Sequence, residues 1–232
     1  MSDKFAMDFR SYRFLITKRS DLIAYSNAPD VDDIGGPTPY CSHFYNPKTR
    51  RPILPCFSNA LEQFLHYFRV AFDSAKNQGI PDYQLAKALH FLQDLSMPFH
   101  ARSVPARFNP GDVLYNGIGH VGYEEDARHK FQDGSLTDNY TDALPIPSGD
   151  LYKDIENIAL ELNWYGYERF GAVIDSDTRE NATNELFAKT IMSSAKVIYL
   201  FSYYQDGGAR IPNRTEEDFS VFIPIITNLI LN

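Results

Sequence analysis

The chain of 232 residues is 44% hydrophobic and 22% charged, which indicates a globular protein rather than a disordered one. Its length suits one large domain, and its formal net charge of -8 argues against a general polyanion-coating surface, although a local nucleic-acid groove remains compatible with it. No segment approaches the roughly 20 apolar residues that a membrane-spanning helix requires.

Helical periodicity dominates the first half of the chain. A first helix is predicted over residues 8–26, followed by the turn-rich segment SNAPDVDDIGGPTP at 26–39. A second helix is predicted to begin with Ser58 as its N-cap and to end at Asn77 and Gly79. Its apolar stripe consists of Leu61, Phe64, Leu65, Phe68, Phe72 and Ala75.

A third helix is predicted from about Pro81 to Met97, because proline suits the first turn of a helix. Pro98 then stops or kinks it. A loop rich in Gly, Pro and Asn covers 102–118, and a shorter helix is predicted at 119–131.

Two longer helices are predicted in the second half of the chain. Ser148 opens one through LYKDIENIALELNWYGYERFG, and the other covers 178–204. The sequence has no sustained strand-type alternation, internal repeat or linker. It therefore predicts a single all-α domain over residues 1–232, a multi-helix bundle with long loops.

Cys41 and Cys56 are the two cysteines. Their separation permits either a disulfide or two free thiols, and the sequence leaves both open. Neither cysteine belongs to a Cys-x-x-Cys pair, which argues against a cysteine zinc site.

Histidines and acids recur at a spacing of four residues. His90 and Asp94 share the face of their predicted helix that lies opposite an apolar arc, and His120 and Glu124 repeat the spacing. Each pair alone is also typical of a solvent-facing polar pair. His100 follows the kink at the end of the third helix, where the chain can turn it toward a neighbouring site.

Two further segments add potential ligands. His43 precedes a turn in SHFYNP, and three aspartates follow the first helix in NAPDVDD. Imidazoles and carboxylates in threes and fours are ligands that Zn²⁺ prefers, and an open coordination position makes such a site catalytic. His66 is predicted to lie on the surface, and neither it nor His129 is assigned a function.

This ordered set resembles the zinc-dependent bacterial phospholipases C, a family related to the zinc-dependent single-strand nucleases. The motifs are H-x3-D-x3-P-x-H at 90–100, H-x-x-Y-E at 120–124 and H-F-Y-x-P at 43–47, with an aspartate upstream. The resemblance implies an all-α fold around a multinuclear site for two to three Zn²⁺ ions.

The resemblance also implies the ligands of each ion. Asp94 would belong to the first site and bridge to a third ion. The first zinc would be bound by Asp30, His43, His90 and Asp94, and the second by His100, His120 and Glu124.

Two further roles follow from the resemblance. Asp30, chosen over Asp32 and Asp33 because it follows Pro29 as the family's aspartate does, would orient the attacking water or accept its proton. Tyr40 matches an aromatic position of the family's head-group pocket; a loop aromatic that packs on the core is the alternative.

One departure concerns the third zinc, which the family completes with an N-terminal tryptophan and a histidine of the first helix. No histidine precedes His43, and the single tryptophan is Trp164. We therefore expect this chain to lack the family's first helix. The resemblance implies an extracellular, secreted protein. The N-terminus MSDKFAMDFRSYRF has no apolar core of signal-peptide type, so we expect either that the protein stays inside the cell or that this chain begins after its export signal.

The implied activity is lipid degradation, by hydrolysis of the phosphodiester of phospholipids at a membrane or micelle surface. The products would be diacylglycerol and a phosphorylated head group, and no obligate protein partner is implied. One alternative is a zinc-dependent single-strand nuclease, which Tyr123 and Glu124 disfavour because the nuclease motif usually has tryptophan and aspartate there. A second alternative is a non-catalytic, zinc-stabilised helical module.

Overall fold

The computed structural model describes residues 20–26, 28–32, 40–51, 56–77, 81–105, 114–132 and 145–205. Residues 20–26 are helical, and the named helices are α1 (Ala28–Asp32), α2 (Ala60–Lys76), α3 (Asp82–Ser96), α4 (Pro98–Ala101), α5 (His120–Gln132), α6 (Leu151–Ile174) and α7 (Arg179–Gln205). Within these ranges the only β-type pairing is an isolated bridge between Tyr115 and Ile118, so the predicted all-α fold is confirmed. None of the described helices combines the length and apolarity needed to cross a membrane.

The start of the chain differs from the prediction in one respect. Residues 20–26 are helical as expected, and 8–19 lie outside the described residues. The segment predicted as a turn contains α1, so that prediction is wrong for Ala28–Asp32. Pro29 occupies the first turn of α1, where its missing N–H would have had no partner in any case. Asp30 is thereby placed on a helix rather than on a turn.

Helix α2 begins one residue later than predicted. The side chain of Asn59 accepts a hydrogen bond from the backbone N–H of Glu62 at 3.0 Å, and the backbone N–H of Asn59 donates to Glu62 Oε2 at 3.1 Å. This capping box makes Asn59 the N-cap and corrects the prediction of Ser58, whose hydroxyl accepts from Gln63 Nε2 instead. The helix ends with Asn77 as its C-cap, as expected, whereas Gly79 lies outside the described residues.

Helix α3 ends at Ser96 because of the proline that follows. The carbonyl of Asp94 would ordinarily receive the N–H of the residue four positions on, but Pro98 has none. The N–H of Met97 donates to that carbonyl instead, at 3.1 Å. Met97 is extended, and Pro98 starts the short helix α4, which carries His100. The predicted stop at Pro98 is confirmed.

The last three helices match their predicted positions within a few residues. Helix α5 begins at His120. The N-cap of α6 is Asp150, whose side chain accepts from the N–H of Lys153 at 3.2 Å, so the prediction that Ser148 opens this helix is corrected by two positions. Of the predicted loop 102–118, residues 106–113 lie outside the described residues.

Two apolar clusters support the site. The larger one joins α2, α3, α6 and α7 and includes the predicted stripe residues Phe64, Phe68 and Phe72. The smaller one lies around Phe99 of α4 and includes Tyr123 of α5. Together they hold the ends of α3, α4 and α5 beside one another. The assignment of residues 1–232 to one domain stays a prediction.

Cys41 and Cys56 form a disulfide, with their Cα atoms 5.4 Å apart. The bond links the 3₁₀ turn Cys41–His43 to the segment that leads into α2. The N–H of Ala60 also donates to the carbonyl of Phe44 at 3.3 Å. The turn that carries His43 is therefore fixed to the start of α2 by one covalent bond and one hydrogen bond.

Candidate metal centre

Three side chains from three elements form a first group of potential ligands: Asp30 of α1, His43 of the 3₁₀ turn and His90 of α3. One nitrogen or oxygen atom from each lies within 4.8 Å of the others. His90 Nε2 is 3.5 Å from Asp30 Oδ1 and 3.4 Å from His43 Nδ1. The imidazole of His43 is buried, whereas 41% of the Asp30 side chain is exposed, so this group opens toward solvent on its aspartate side.

A second group consists of His100, His120 and Glu124, whose potential ligand atoms also lie within 4.8 Å of one another. Glu124 Oε1 is 3.0 Å from His120 Nε2 and 3.4 Å from His100 Nε2. Aromatic rings fix both imidazoles: Phe99 stacks on His120 with centroids 5.4 Å apart, and Phe44 meets His100 edge-on at 4.9 Å. The two rings restrict the orientation of the imidazoles and leave their nitrogens toward the carboxylate.

Asp94 lies between the two groups. Its Oδ2 is 2.8 Å from His43 Nδ1 and 3.4 Å from His90 Nε2, on the side of the first group. Its Oδ1 is 3.0 Å from His100 Nδ1, on the side of the second. One buried carboxylate therefore contacts imidazoles of both groups, and the pair His90–Asp94 is not the solvent-facing pair that its spacing also allowed.

The backbone orients His120 so that one ring nitrogen faces Glu124. Its Nδ1 lies 2.8 Å from the carbonyl of Val104, which can only accept, so Nδ1 carries the proton. In the neutral ring Nε2 then presents a lone pair to the carboxylate of Glu124 at 3.0 Å. Two acceptors at that distance require a positive charge between them, either a proton or a metal ion. A histidine whose second nitrogen donates to a carbonyl is the usual arrangement of a metal ligand.

Buried atoms without hydrogen-bond partners support the same conclusion. Among the described residues, His43 Nε2, His100 Nδ1 and Asp94 Oδ2 are buried and make no hydrogen bond of acceptable geometry. This holds although Asp94 Oδ2 is 2.8 Å from His43 Nδ1 and His100 Nδ1 is 3.0 Å from Asp94 Oδ1. Leaving such an atom unsatisfied costs about 1–3 kcal/mol. Imidazole nitrogens and carboxylate oxygens are the ligands that Zn²⁺ prefers, so the donor set fits this ion.

The charges of the site are strongly coupled. Burial alone would raise the pKa of Asp94, but the imidazoles of His43, His90 and His100 hold it well below its usual range. Burial alone would lower the pKa of His100, but Asp94 and Glu124 raise it to about 10. For Glu124, burial is likewise outweighed by its two histidines, which lower the pKa to about 2. These shifts favour the ionised forms of Asp94 and Glu124 and the protonated form of His100.

The pKa values of the first group follow the same balance. Burial raises the pKa of Asp30 despite the nearby imidazoles. Burial alone would lower the pKa of His43, but the carboxylate of Asp94 raises it. A divalent cation would replace protons on such a set, since ligands must be deprotonated to bind.

The structure brings together all the side chains that the sequence analysis named as ligands, from elements far apart in the chain. The metal-binding role of these side chains stays a prediction. Tyr40 lies at the edge of the first group, 39% exposed, with its ring 5.7 Å from that of His43. Asp33 and the side chain of Asp32 lie outside the described residues, and His66 and His129 are exposed. The seven potential ligands that the structure brings together are Asp30, His43, His90, Asp94, His100, His120 and Glu124.

Sequence reasoning missed two residues that support the site. The carbonyl of Val104 orients His120, and no side-chain pattern could have indicated it. Asn163 is fully buried on α6 and donates to the backbone beside two potential ligands. The sequence could have indicated Asn163, because it lies on the apolar stripe formed by Ile155, Ala159 and Leu162, and a buried asparagine must find hydrogen-bond partners.

A helical scaffold that brings two imidazole–carboxylate groups around one shared aspartate defines an α-helical protein with a candidate polynuclear metal centre. By sequence, the chain is distantly homologous to bacterial phospholipases C. A phospholipase C of Bacillus cereus is 34% identical over 64 residues, and a phospholipase C of Listeria monocytogenes is 31% identical over 106 residues. No family model matches the chain.

Solved structures show the same fold over most of the chain. The alpha-toxin of Clostridium perfringens matches 86% of the chain with a TM-score of 0.69 at 19% identity. The alpha-toxin of Clostridium absonum matches 89% with a TM-score of 0.63 at 17% identity.

These likenesses cover only part of each relative. The aligned segments are 27% and 40% of this chain, and 23% and 32% of the Bacillus and Listeria relatives. The chain spans 58% and 60% of the two toxins.

Proposed function

We propose that this chain is a zinc-dependent phosphodiesterase of the phospholipase C type. It hydrolyses the phosphodiester of phospholipids to diacylglycerol and a phosphorylated head group. The observation that carries the proposal is the pair of metal-ligand groups around Asp94, in a chain distantly homologous to phospholipases C. Phosphodiester hydrolysis suits such a site, because neighbouring metal ions can stabilise both the attacking and the leaving oxygen.

We assign one zinc site to each of the two groups of potential ligands. Asp94 serves the first group and is also the bridging ligand if a third ion binds. When bound, the zinc ions lower the pKa of water toward neutrality and stabilise the phosphoryl oxygens. The first site comprises Asp30, His43, His90 and Asp94, and the second comprises His100, His120 and Glu124.

Asp30 is the residue placed to manage the attacking water. Its carboxylate is the most accessible group of the first site, with 41% of the side chain exposed, and it lies 3.5 Å from His90 Nε2. From this position it orients a water at the open side of the group or accepts its proton. The buried Asp94 is less suited to that role, because its oxygens face imidazoles on both sides.

Tyr40 is the residue that we assign to the substrate. Its ring borders His43 and remains partly exposed, so it offers an aromatic surface beside the phosphodiester site. The backbone of Tyr40 has φ of 64°, in the left-handed region that is uncommon for residues other than glycine and is often found at functional sites. An aromatic face of this kind can contact a cationic head group.

The cellular setting belongs to the same proposal. The enzyme acts on phospholipid at a membrane or micelle surface, needs no obligate protein partner and works outside the cell. The Cys41–Cys56 disulfide supports an extracellular location, because such bonds persist in oxidising compartments.

Parallel assays test the proposal. Zinc-loaded protein is incubated with phosphatidylcholine–detergent micelles and, separately, with single-stranded DNA. We expect diacylglycerol release that a zinc chelator abolishes and added zinc restores. Asp30→Asn should lose most of this activity, and the exposed His66→Gln should retain it.

The other outcomes identify the alternatives. Nucleotide release without diacylglycerol would assign the chain to the single-strand nucleases. Zinc binding without either activity would leave a zinc-stabilised helical module. Both results would overturn the proposed function.

A further inference from the structure

Asn163 connects the two backbone segments that carry His43 and Asp94. Its side chain is fully buried on α6. Its Nδ2 donates to the carbonyl of Tyr45 at 3.0 Å and to the carbonyl of Leu95 at 3.1 Å. Tyr45 lies two residues after His43, and Leu95 directly follows Asp94. One amide group thus uses both of its hydrogens to join two backbone segments at the metal centre.

The orientation of this amide is determined by its partners. Both partners are carbonyl oxygens, which only accept hydrogen bonds, so the NH₂ group must face them. The opposite orientation would place the side-chain oxygen of Asn163 against two acceptors. No other uncharged side chain of similar size supplies two donors from a single atom.

The carbonyl of Leu95 needs an outside donor because α3 ends there. The last four carbonyls of a helix have no partner within it. The carbonyl of Gln93 accepts from the hydroxyl of Ser96 at 2.6 Å, and that of Asp94 accepts from the N–H of Met97. Asn163 supplies the donor for Leu95. The helix end that presents Asp94 is therefore completed by α6.

Gly166 allows α6 to approach closely enough for this contact. It lies three residues after Asn163, on the same face of the helix. A Cβ atom at position 166 would lie 2.4 Å from the carbonyl oxygen of Ser96, a distance that no real side chain tolerates. The backbone of α6 therefore rests directly on the end of α3, within reach of the short Asn163 side chain.

We propose that Asn163 is a positioning residue of the metal centre. It keeps the His43 segment and the Asp94 segment at a fixed separation, and so maintains the 2.8 Å distance between His43 Nδ1 and Asp94 Oδ2. It acts through two backbone carbonyls, because both of its hydrogen bonds go to the backbone and neither goes to a ligand side chain. This inference rests on the proposed function, because it assumes that the first group binds zinc.

The test compares zinc affinity with stability. Asn163→Leu keeps the approximate shape of the side chain and removes both donors. The control is Ile155→Ala. Ile155 is buried in the larger apolar cluster and lies on the same helix, two turns before Asn163. Zinc affinity is measured by competition with a chromophoric chelator, and the protein is also loaded with Co²⁺ to record the absorption spectrum of the bound ions.

We expect Asn163→Leu to weaken zinc binding about 10-fold or more, as is typical when a residue that supports a metal ligand is removed. Its Co²⁺ spectrum should change, because the ligand geometry changes. Ile155→Ala should lower the melting temperature at least as much and leave both metal readouts at the wild-type values. If Asn163→Leu does not fold, Asn163→Ser replaces it; its hydroxyl is too close to the α6 backbone to reach either carbonyl, so the loss of affinity should be similar.

Two results would overturn the inference while the proposed function stands. In the first, the Asn163 variant has the zinc affinity and the Co²⁺ spectrum of the wild type. In the second, the Asn163 and Ile155 variants lose zinc affinity equally. If the wild-type protein binds no zinc, the proposed function fails and this inference fails with it.

Discussion

Asp94 Oδ2 lies 2.8 Å from His43 Nδ1, although one residue is at the end of a helix and the other is in a 3₁₀ turn fixed by a disulfide. The other oxygen of Asp94 contacts His100, which belongs to the second ligand group. The two groups are therefore linked electrostatically through one buried carboxylate. Changes at Asp94 should affect both groups, whereas changes at their outer members should affect one.

Asp94→Asn tests the shared role of this carboxylate. The substitution keeps the size of the side chain but removes the negative charge that faces three imidazoles. We expect zinc content after dialysis to fall by about one ion per chain or more, since a charged ligand is lost. Elemental analysis measures it, with Asp73→Asn, an exposed carboxylate on α2, as the control. Unchanged zinc in the Asp94 variant would exclude the role assigned here.

Glu124→Gln tests whether the second group binds its ion separately. The substitution removes the carboxylate between His100 and His120 and leaves the first group intact. We expect zinc content to fall by about one ion per chain, with the remaining ion bound as in the wild type. The matched control is Glu125→Gln, the adjacent exposed carboxylate, which should retain full zinc content. If both variants behave alike, the second group is not a zinc site.

Much of the fold could be predicted because its signals are local. The stripe of Phe64, Phe68 and Phe72 indicated which face of α2 is buried, and the proline at 98 indicated where α3 ends. Composition misled the prediction at Ala28–Asp32, where the residues of a turn form a short helix with proline in its first turn. Propensity is a weak guide over so short a segment, because tertiary contacts override it.

The ligands were also accessible to sequence analysis, because two of their pairs have helical spacing. The spatial arrangement of the two pairs could not be predicted from the sequence. The placement of Asp94 between two groups and the two carbonyl contacts of Asn163 depend on contacts between distant segments. Whether Cys41 and Cys56 form a disulfide likewise depends on their distance in space, which their spacing along the chain does not determine.

The metal-free protein should lose stability as the pH rises. Burial alone would lower the pKa of His100, but Asp94 and Glu124 raise it from 6.5 to about 10 in the folded state. Because the folded pKa exceeds the unfolded one, this contribution is complete below pH 6.5 and is lost as the pH approaches 10. The loss amounts to at most about 1.4 kcal/mol per pH unit for one proton.

Urea unfolding of chelator-treated protein across this pH range measures the effect. His100→Gln should flatten the pH dependence, because it removes the group that releases the proton. His43, whose pKa is also raised, should leave a residual slope of the same sign. A free energy of unfolding that stays constant or increases from pH 6.5 to 10 in the wild type would disagree with this expectation.

Removing the disulfide should lower stability. The Cys41–Cys56 bond closes a separation of 15 residues, for which the loss of loop entropy in the unfolded chain corresponds to about 3 kcal/mol. We expect the double variant Cys41→Ala/Cys56→Ala to lose about that amount in urea unfolding, compared with the oxidised wild type. Reduction of the wild type should give a similar loss. A double variant as stable as the oxidised protein would show that the bond contributes nothing.

The most direct measurement is anomalous diffraction at the zinc absorption edge from crystals grown with zinc. We predict one anomalous peak among Asp30, His43 and His90, and another among His100, His120 and Glu124, with ligand distances of about 2.0–2.2 Å. Peaks confined to other parts of the molecule, or the absence of any peak at a saturating zinc concentration, would contradict the existence of this metal centre.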